Sequence, residues 1–362
     1  MIKFLHAADL HLDSPFSGLT PEQATQRRAE QRAMVSELVE LCNREACDLM
    51  LLAGDLFDSD NAFQQTIEAL QHAFSACRAQ ILIAPGNHDY YTPGSPYAVT
   101  QWPRNVHIFS TPAPTAYPLP ALGCTVWGAA FTQPTSEGLL ESFRVADDGL
   151  VNLMVLHGDP QTPTSPYNPI SAAQIAASGL TYLALGHIHQ CGMAQTAGST
   201  TYAWPGCPMG RGFDETGPKG VLIGTIRGTQ CQVRFQPLTG RRYEILEVAA
   251  GEDPLTAVLA ALPPETASDC YRILLTGESP EIRTAALYQA LSSRFFSLQL
   301  RDLTVAPLDL WQRAGENSLE GLFLQILRRQ YDAADSPEQK RELEQAARIG
   351  LSVMMGREVQ IP

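Results

Sequence analysis

The stretch QILIAPGNHD, Gln80 to Asp89, decides the fold. An apolar run, Ile81 to Ala84, is closed by Pro85 and Gly86, and three polar side chains follow at once: Asn87, His88 and Asp89. A short apolar run without polar alternation, bounded by Pro and Gly, reads as a strand buried on both faces. The pattern recurs on either side of it. Ile2 to Ala8 leads into Asp9 and His11, and Leu49 to Ala53 leads into Gly54 and Asp55. Val151 to Leu156 leads into His157 and Gly158, and Thr181 to Leu185 leads into Gly186, His187, Ile188 and His189. Between the early runs lie helix-like segments, Pro21 to Glu45 and Ala62 to Cys77. Such β-α-β-α alternation predicts a largely parallel sheet, and ligands of such sheets gather beyond the carboxyl ends of the strands. Five strand ends rich in Asp, Asn and His are therefore expected on one edge.

Further strands are expected at Val106 to Phe109, Thr125 to Phe131, Thr200 to Trp204, Val221 to Ile226 and Cys231 to Pro237. Little helix separates them, which suggests a second, more antiparallel sheet packed on the first. Thr111 to Pro120 and Pro160 to Pro169 are Pro-rich and read as surface connections. Composition shifts near Gly240. The expected organisation is a domain over 1–240, a small α+β cap over 241–310 and a C-terminal helical segment over 311–362. In the last of these, Leu319, Leu322, Phe323, Ile326 and Leu327 share one helical face, and Leu343, Ala347, Leu351 and Met354 form a second apolar stripe running towards Met355.

The composition narrows the function. With 44% hydrophobic residues in 362, the chain can bury a large core and is not intrinsically disordered. No apolar run reaches the roughly 18 residues of a membrane span, and the start lacks the pattern of a secretory leader. The formal charge is −13, and the only lysines are Lys3, Lys219 and Lys340, which argues against a bulk electrostatic nucleic-acid binder. Handling phosphate then requires locally placed arginines or metal ions. The 8 cysteines form no C-x-x-C pair, so they read as reduced thiols of a cytoplasmic protein.

The candidate ligands are Asp9, His11, Asp55, Asn87, His88, His157, His187 and His189. D-x-H alone is common by chance. The ordered series D-x-H, G-D, G-N-H-D, H-G and G-H-x-H, each member after an apolar strand, is specific. Mixed imidazole and carboxylate donors suit manganese, iron or zinc, and the lack of cysteine among them argues against a structural zinc cluster. Seven donors exceed the needs of one ion and suit two, bridged by a carboxylate. An eighth group, a histidine left unbound beside the pair, can protonate a leaving oxygen.

This series resembles that of the calcineurin-like metallophosphoesterases. Within them it is most similar to the SbcD/YhaO type of bacterial DNA double-strand-break nuclease subunits. The similarity extends over Ala8 to Pro15, Gly54 to Asp58, Gly86 to Asp89, Pro205 to Pro208 and Glu215 to Gly220. The last segment is not needed for metal binding and separates the subgroup from generic phosphoesterases.

The resemblance implies a four-layer α/β/β/α sandwich and two divalent ions, most simply manganese. It implies that Asp9, His11 and His189 bind one ion, that Asn87, His157 and His187 bind the other, and that Asp55 bridges them. His88 would be the general acid or would stabilise the transition state, Asp89 would orient it by a hydrogen bond or cap a helix or turn, and Arg211 would touch a substrate phosphate or be a solvated loop arginine. Asp13 and Asp58 would support the site or cap loops. The subgroup also implies a homodimer with a face near Ala62 to Cys77, and an SMC-like coiled-coil ATPase partner met by the C-terminal helices.

The leading expectation is thus a manganese-dependent DNA exonuclease or endonuclease acting in repair. A small-molecule phosphodiesterase or phosphatase would use the same site, and the acidic balance favours it. A scaffold that recruits an ATPase, with catalysis secondary, is the third reading.

Overall fold

The structure is a computed structural model that describes residues 1–146, 149–305 and 310–354. The first elements are β1 (Ile2–Ala7), α1 (Pro21–Arg44), β2 (Leu49–Ala53), α2 (Gln64–Ala76), β3 (Gln80–Ala84), α3 (Pro96–Val99) and β4 (Val106–Ile108). Then come β5 (Thr115–Leu119), β6 (Cys124–Gly128), β7 (Val151–His157), α4 (Ala172–Ser178), β8 (Tyr182–Gly186), β9 (Gly192–Ala197) and β10 (Thr200–Trp204). Next are β11 (Gly220–Arg227), β12 (Gln230–Pro237), β13 (Tyr243–Ala249), α5 (Pro254–Ala261), β14 (Cys270–Thr276), α6 (Thr284–Leu291) and β15 (Ser297–Asp302). The last are α7 (Leu319–Asp332) and α8 (Pro337–Met354); Met355, the expected end of the helical segment, lies outside the described residues.

Two compact units result. The larger comprises Met1–Ile245, Glu265–Arg272 and Arg294–Leu298; the smaller comprises Leu246–Pro264, Ile273–Ser293 and the described part of Gln299–Pro362.

The larger unit is an α/β structure with two six-stranded sheets, ordered β12-β11-β1-β2-β3-β4 and β5-β6-β7-β8-β10-β9. β1 to β4 are parallel, β11 is added antiparallel beside β1, and β12 pairs antiparallel with β11. In the second sheet β6, β7, β8 and β10 are parallel, and only the edge strands β5 and β9 are antiparallel.

Alternation along the strands divides three cores. In the first sheet Leu5, Met50, Leu52, Ile81 and Ile83 face α1 and α2, while Phe4, Leu49, Leu51 and Leu82 face the second sheet. Leu153, Val155, Tyr182 and Ala184 answer them from the second sheet. That sheet's other face, with Met154, Leu156, Leu183 and Leu185, is covered by Ile175 of α4 and by loop side chains. Both faces of each sheet are buried, which is why the strands read as continuous apolar runs.

The expected make-up of the second sheet needs correction. β4, β11 and β12 join the first sheet, whereas β7 and β8 belong to the second, whose centre is parallel. A run buried on both faces carries no mark of which sheet it enters. β5 falls inside the stretch read as a connection; its Pro118 is tolerated because β5 is an edge strand.

α1 opens with a capping box, Thr20 with Gln23, and Pro21 at its first position. Its buried face includes Met34, Val35 and Leu38, but also two polar residues, Arg27 and Gln31. Both hold loops of the site. Gln31 Nε2 donates to the His11 carbonyl at 2.8 Å, and Arg27 Nη2 donates to the Gly210 carbonyl at 2.8 Å.

β13, β14 and β15 pair in that order. The helix expected from Ala285 to Phe296 ends as α6 at Leu291 and passes into a tight turn over Ser292–Arg294. Ala347 and Leu351 of α8 pack with Leu324 of α7 and with Leu310. The single face expected on α7 is split: Leu319, Leu322 and Ile326 are exposed, while Phe323 and Leu327 pack against that core.

Candidate metal centre

The ends of both sheets meet where the backbone leaves its usual conformations. Asp9, His11, Asp55 and His187 have φ of 53°, 45°, 49° and 104°. Such angles cost a non-glycine residue about 1–3 kcal/mol each and persist only where the surroundings enforce them. Here the loops after β1 and β2 zip together. Asp9 N donates to Gly54 O at 3.1 Å, His11 N to Asp55 O at 2.9 Å, and Asp58 N to Leu12 O at 3.0 Å. Two glycines allow the approach. A Cβ on Gly86 would stand 2.1 Å from Asp55 Oδ1, and one on Gly186 would stand 1.9 Å from Ala53 O.

Asp9, His11 and His189 bring one ligand atom each within 4.8 Å of one another, and so do Asp9, Asp55 and His157. Asp55 lies between the groups, its Oδ2 3.6 Å from His11 Nε2 and 3.4 Å from His157 Nε2. Asn87 Oδ1 is 3.0 Å from His157 Nε2. His187 completes this side, its ring 5.2 Å from that of His157 and its backbone N donating to Asp9 Oδ1 at 3.0 Å.

The outer nitrogens fix the tautomers. His157 Nδ1 faces Ala53 O at 3.0 Å, a carbonyl that can only accept, so this nitrogen carries a proton. His189 Nδ1 faces Glu215 Oε1 at 2.8 Å. His11 Nδ1 has Asp58 Oδ1 3.2 Å away, although the contact is not aligned as a hydrogen bond. The imidazoles of His157 and His189 then present their Nε2 lone pairs inward, and the Nε2 atoms of His11 and His189 are 3.2 Å apart. Converging lone pairs and carboxylate oxygens repel one another unless a cation lies among them. The donor set therefore fits divalent ions.

Residues 2–191 match the model of the calcineurin-like phosphoesterases, more than half of the chain. The chain belongs to that family. It is similar to an uncharacterized metallophosphoesterase, YhaO, of Bacillus subtilis (strain 168), with 30% identity over 300 residues covering 77% of this chain and 73% of that one. It is also similar to the SbcD component of the SbcCD nuclease of the same organism, with 24% identity over 266 residues, 61% of this chain and 66% of that protein. A shorter likeness, 33% over 93 residues, links it to the SbcD component of the SbcCD nuclease of Rhodobacter capsulatus, covering 24% of this chain and 22% of that protein. The family's phosphoester hydrolysis relies on divalent metals, which accords with the donors gathered here. Among the described residues no helix is long and apolar enough to cross a membrane.

Other candidate residues of this phosphoesterase lie around the donors. His88 is exposed, its ring 4.8 Å from that of His11. Its backbone N donates to Asp55 Oδ1 at 3.0 Å, and its Nδ1 faces Asp58 O at 3.1 Å. The expected hydrogen bond from Asp89 to His88 is not formed. Asp89 is buried and accepts from Gly86 N at 2.8 Å, from Phe57 N at 3.0 Å and from the Tyr97 hydroxyl. It clamps the loops that carry Asp55 and Asn87. Asp13 accepts from Phe63 N at 2.8 Å and from the Thr66 hydroxyl, and so caps the start of α2.

Arg211, expected on substrate, has its guanidinium occupied by Asp58 and Glu215. Glu215 was not among the expected site residues, although it stands in the Glu215 to Gly220 segment that marked the subgroup. Burial alone pushes its carboxyl pKa up, but hydrogen bonds from His189 and Arg211 outweigh burial and hold it well below the usual carboxylate range. Burial lowers His187 to about 4, so it is a neutral donor at pH 7.

Proposed function

We propose that this chain is a manganese-dependent phosphodiesterase that cleaves DNA. In this reading it works in the cytoplasm as a homodimer, with an SMC-like coiled-coil ATPase as partner. The observation that carries the reading is the convergence of seven donors from both sheets, with one exposed histidine beside them. The likeness to two proteins named as parts of a nuclease supports DNA as substrate and a second protein as partner.

Asp9, His11 and His189 would hold one ion, Asn87, His157 and His187 would hold the other, and Asp55 would serve both. Two divalent ions so held would supply an activated water and the positive charge that clamps a phosphodiester. The chain's own part is to fix these donors and to place a proton. His88 Nδ1 is held by the Asp58 carbonyl. When the ring carries a second proton, at Nε2, that nitrogen is placed to give it to the leaving oxygen.

A second reading, a phosphodiesterase or phosphatase of small molecules, is favoured by the charge of −13. DNA binding normally rests on several Lys or Arg contacts to phosphate. End-labelled duplex and single-stranded DNA, incubated with manganese, magnesium or chelator, decide between them beside a chromogenic phosphodiester. Degradation of DNA with manganese alone supports the nuclease. Cleavage confined to the small ester, even after the partner ATPase is added, overturns it and leaves the second reading.

A further inference from the structure

Arg211 stands between two carboxylates, and each carboxylate stands behind an imidazole. Its Nη1 donates to Asp58 Oδ1 at 2.9 Å, and its Nη2 donates to Glu215 Oε1 at 2.6 Å. The same Asp58 Oδ1 is 3.2 Å from His11 Nδ1, and the same Glu215 Oε1 is 2.8 Å from His189 Nδ1. The path from His11 through Asp58, Arg211 and Glu215 to His189 closes on itself at the two Nε2 atoms, 3.2 Å apart.

We infer that Arg211 is a positioning residue: by fixing Asp58 and Glu215 together it sets how His11 and His189 face each other, and so sets how tightly their side of the site binds metal. The inference rests on the proposed reading of these histidines as ligands. Partners behind a ligating imidazole fix its tautomer and ring orientation, and their loss typically costs 10–100-fold in metal affinity. A planar guanidinium suits this task, because its fork reaches two carboxylates at fixed angles while its charge offsets their mutual repulsion.

The side chain is not a free hook for phosphate, since its Nη1, Nη2 and Nε all donate to these carboxylates. The loop that carries it is held by other means. Arg27 Nη2 donates to Gly210 O at 2.8 Å, the Phe213 ring packs 5.1 Å from Tyr243, and Arg272 lies 4.2 Å over Phe213. Removing the Arg211 side chain therefore breaks the link while the loop keeps its anchors.

The test is a manganese titration of the full chain, followed by calorimetry and by the electron paramagnetic resonance of free manganese. The wild type is expected to bind two ions. Arg211→Ala should bind one ion with unchanged affinity and the other about 10–100-fold more weakly. Arg211→Lys, whose ammonium reaches one carboxylate at a time, should fall between them. A purely structural role would lower the melting temperature of the metal-free protein and leave the affinity per folded molecule unchanged. Two ions bound to Arg211→Ala with native affinity overturn the inference alone. A wild-type chain that takes up no ion sinks the proposed function and the inference with it. If Arg211→Ala does not fold, Glu215→Gln carries the same test: a loss of tenfold or more at one ion supports the link, and native affinity for both overturns it.

Discussion

The two sheets furnish their donors by different means. At the ends of the first sheet, Asp9, His11 and Asp55 sit in left-handed backbone, and paired loops hold them there. At the ends of the second sheet, two donors are held by the first sheet itself: His157 Nδ1 by the Ala53 carbonyl, and His187 N by the Asp9 carboxylate. One sheet builds its half locally and the other borrows. The distance between the sheets thus decides whether the donors converge.

The largest expected effect comes from forcing the sheets apart. Gly186 is a point of close approach, where an added Cβ would lie 1.9 Å from Ala53 O and 2.9 Å from the Ala8 side chain. Gly186→Ala should lose metal binding, and urea unfolding should show a loss of about 2–3 kcal/mol from overpacking. Gly94→Ala, whose added Cβ meets nothing within 4 Å, should change neither. Native metal content in Gly186→Ala would break the comparison.

Next in size is a change that leaves the geometry between the sheets alone. His88 projects from the rim of the first sheet, and the proposed reading leaves it outside the seven donors, although it too has a ligand atom within 4.8 Å of His11 and Asp58. His88→Ala should lower kcat on a phosphodiester by about 10²–10⁴. Calorimetry should still count two ions. If metal binding falls as well, His88 belongs among the donors and the division of roles is wrong.

A third effect concerns a polar tie inside the core between the sheets. His6 of β1 is fully buried, with Nδ1 2.9 Å from the Tyr182 hydroxyl and Nε2 3.0 Å from the Leu185 carbonyl, both on β8. Burial lowers its pKa from 6.5 to about 3, against a smaller upward push from the Leu185 carbonyl. Below pH 6.5 the unfolded chain takes up a proton that the folded chain refuses until about pH 3. Stability therefore falls with pH across that window, by up to about 1.4 kcal/mol per pH unit from this group. Urea midpoints at pH 7, 6, 5 and 4 should drop less steeply in His6→Asn than in the wild type. Parallel curves would show that the tie is not sensed.

The strand ends were legible because chemistry and fold left the same mark, an apolar run broken by Asp, Asn or His. The partition of strands between sheets was not, since β3 and β7 have the same buried pattern and nothing in either names its neighbour. β9, running from Gly192 to Ala197, was missed because an exposed edge strand needs no apolar side chains. α4 carried a readable signal, Ser171 followed by Gln174, in a region rich in proline. Asp89 was expected on His88 because the family resemblance implied that role. Its carboxylate turns inward because three donors await it there, and no spacing rule reports such long-range partners. Glu215 escaped for the same reason, lying 26 residues beyond His189.

The two buried polar residues of α1 also bear on how the protein can vary in length. Arg27 and Gln31 are one helical turn apart, and each reaches a different loop of the site. Inserting or deleting a single residue swings everything beyond it by about 100° around the helix axis. Made between these two, such a change keeps one loop anchored and releases the other. Made just before Arg27, it parts both side chains from the capped start at Thr20. The solvent-facing positions of this helix are open to substitution, but the number of residues in its first three turns is not.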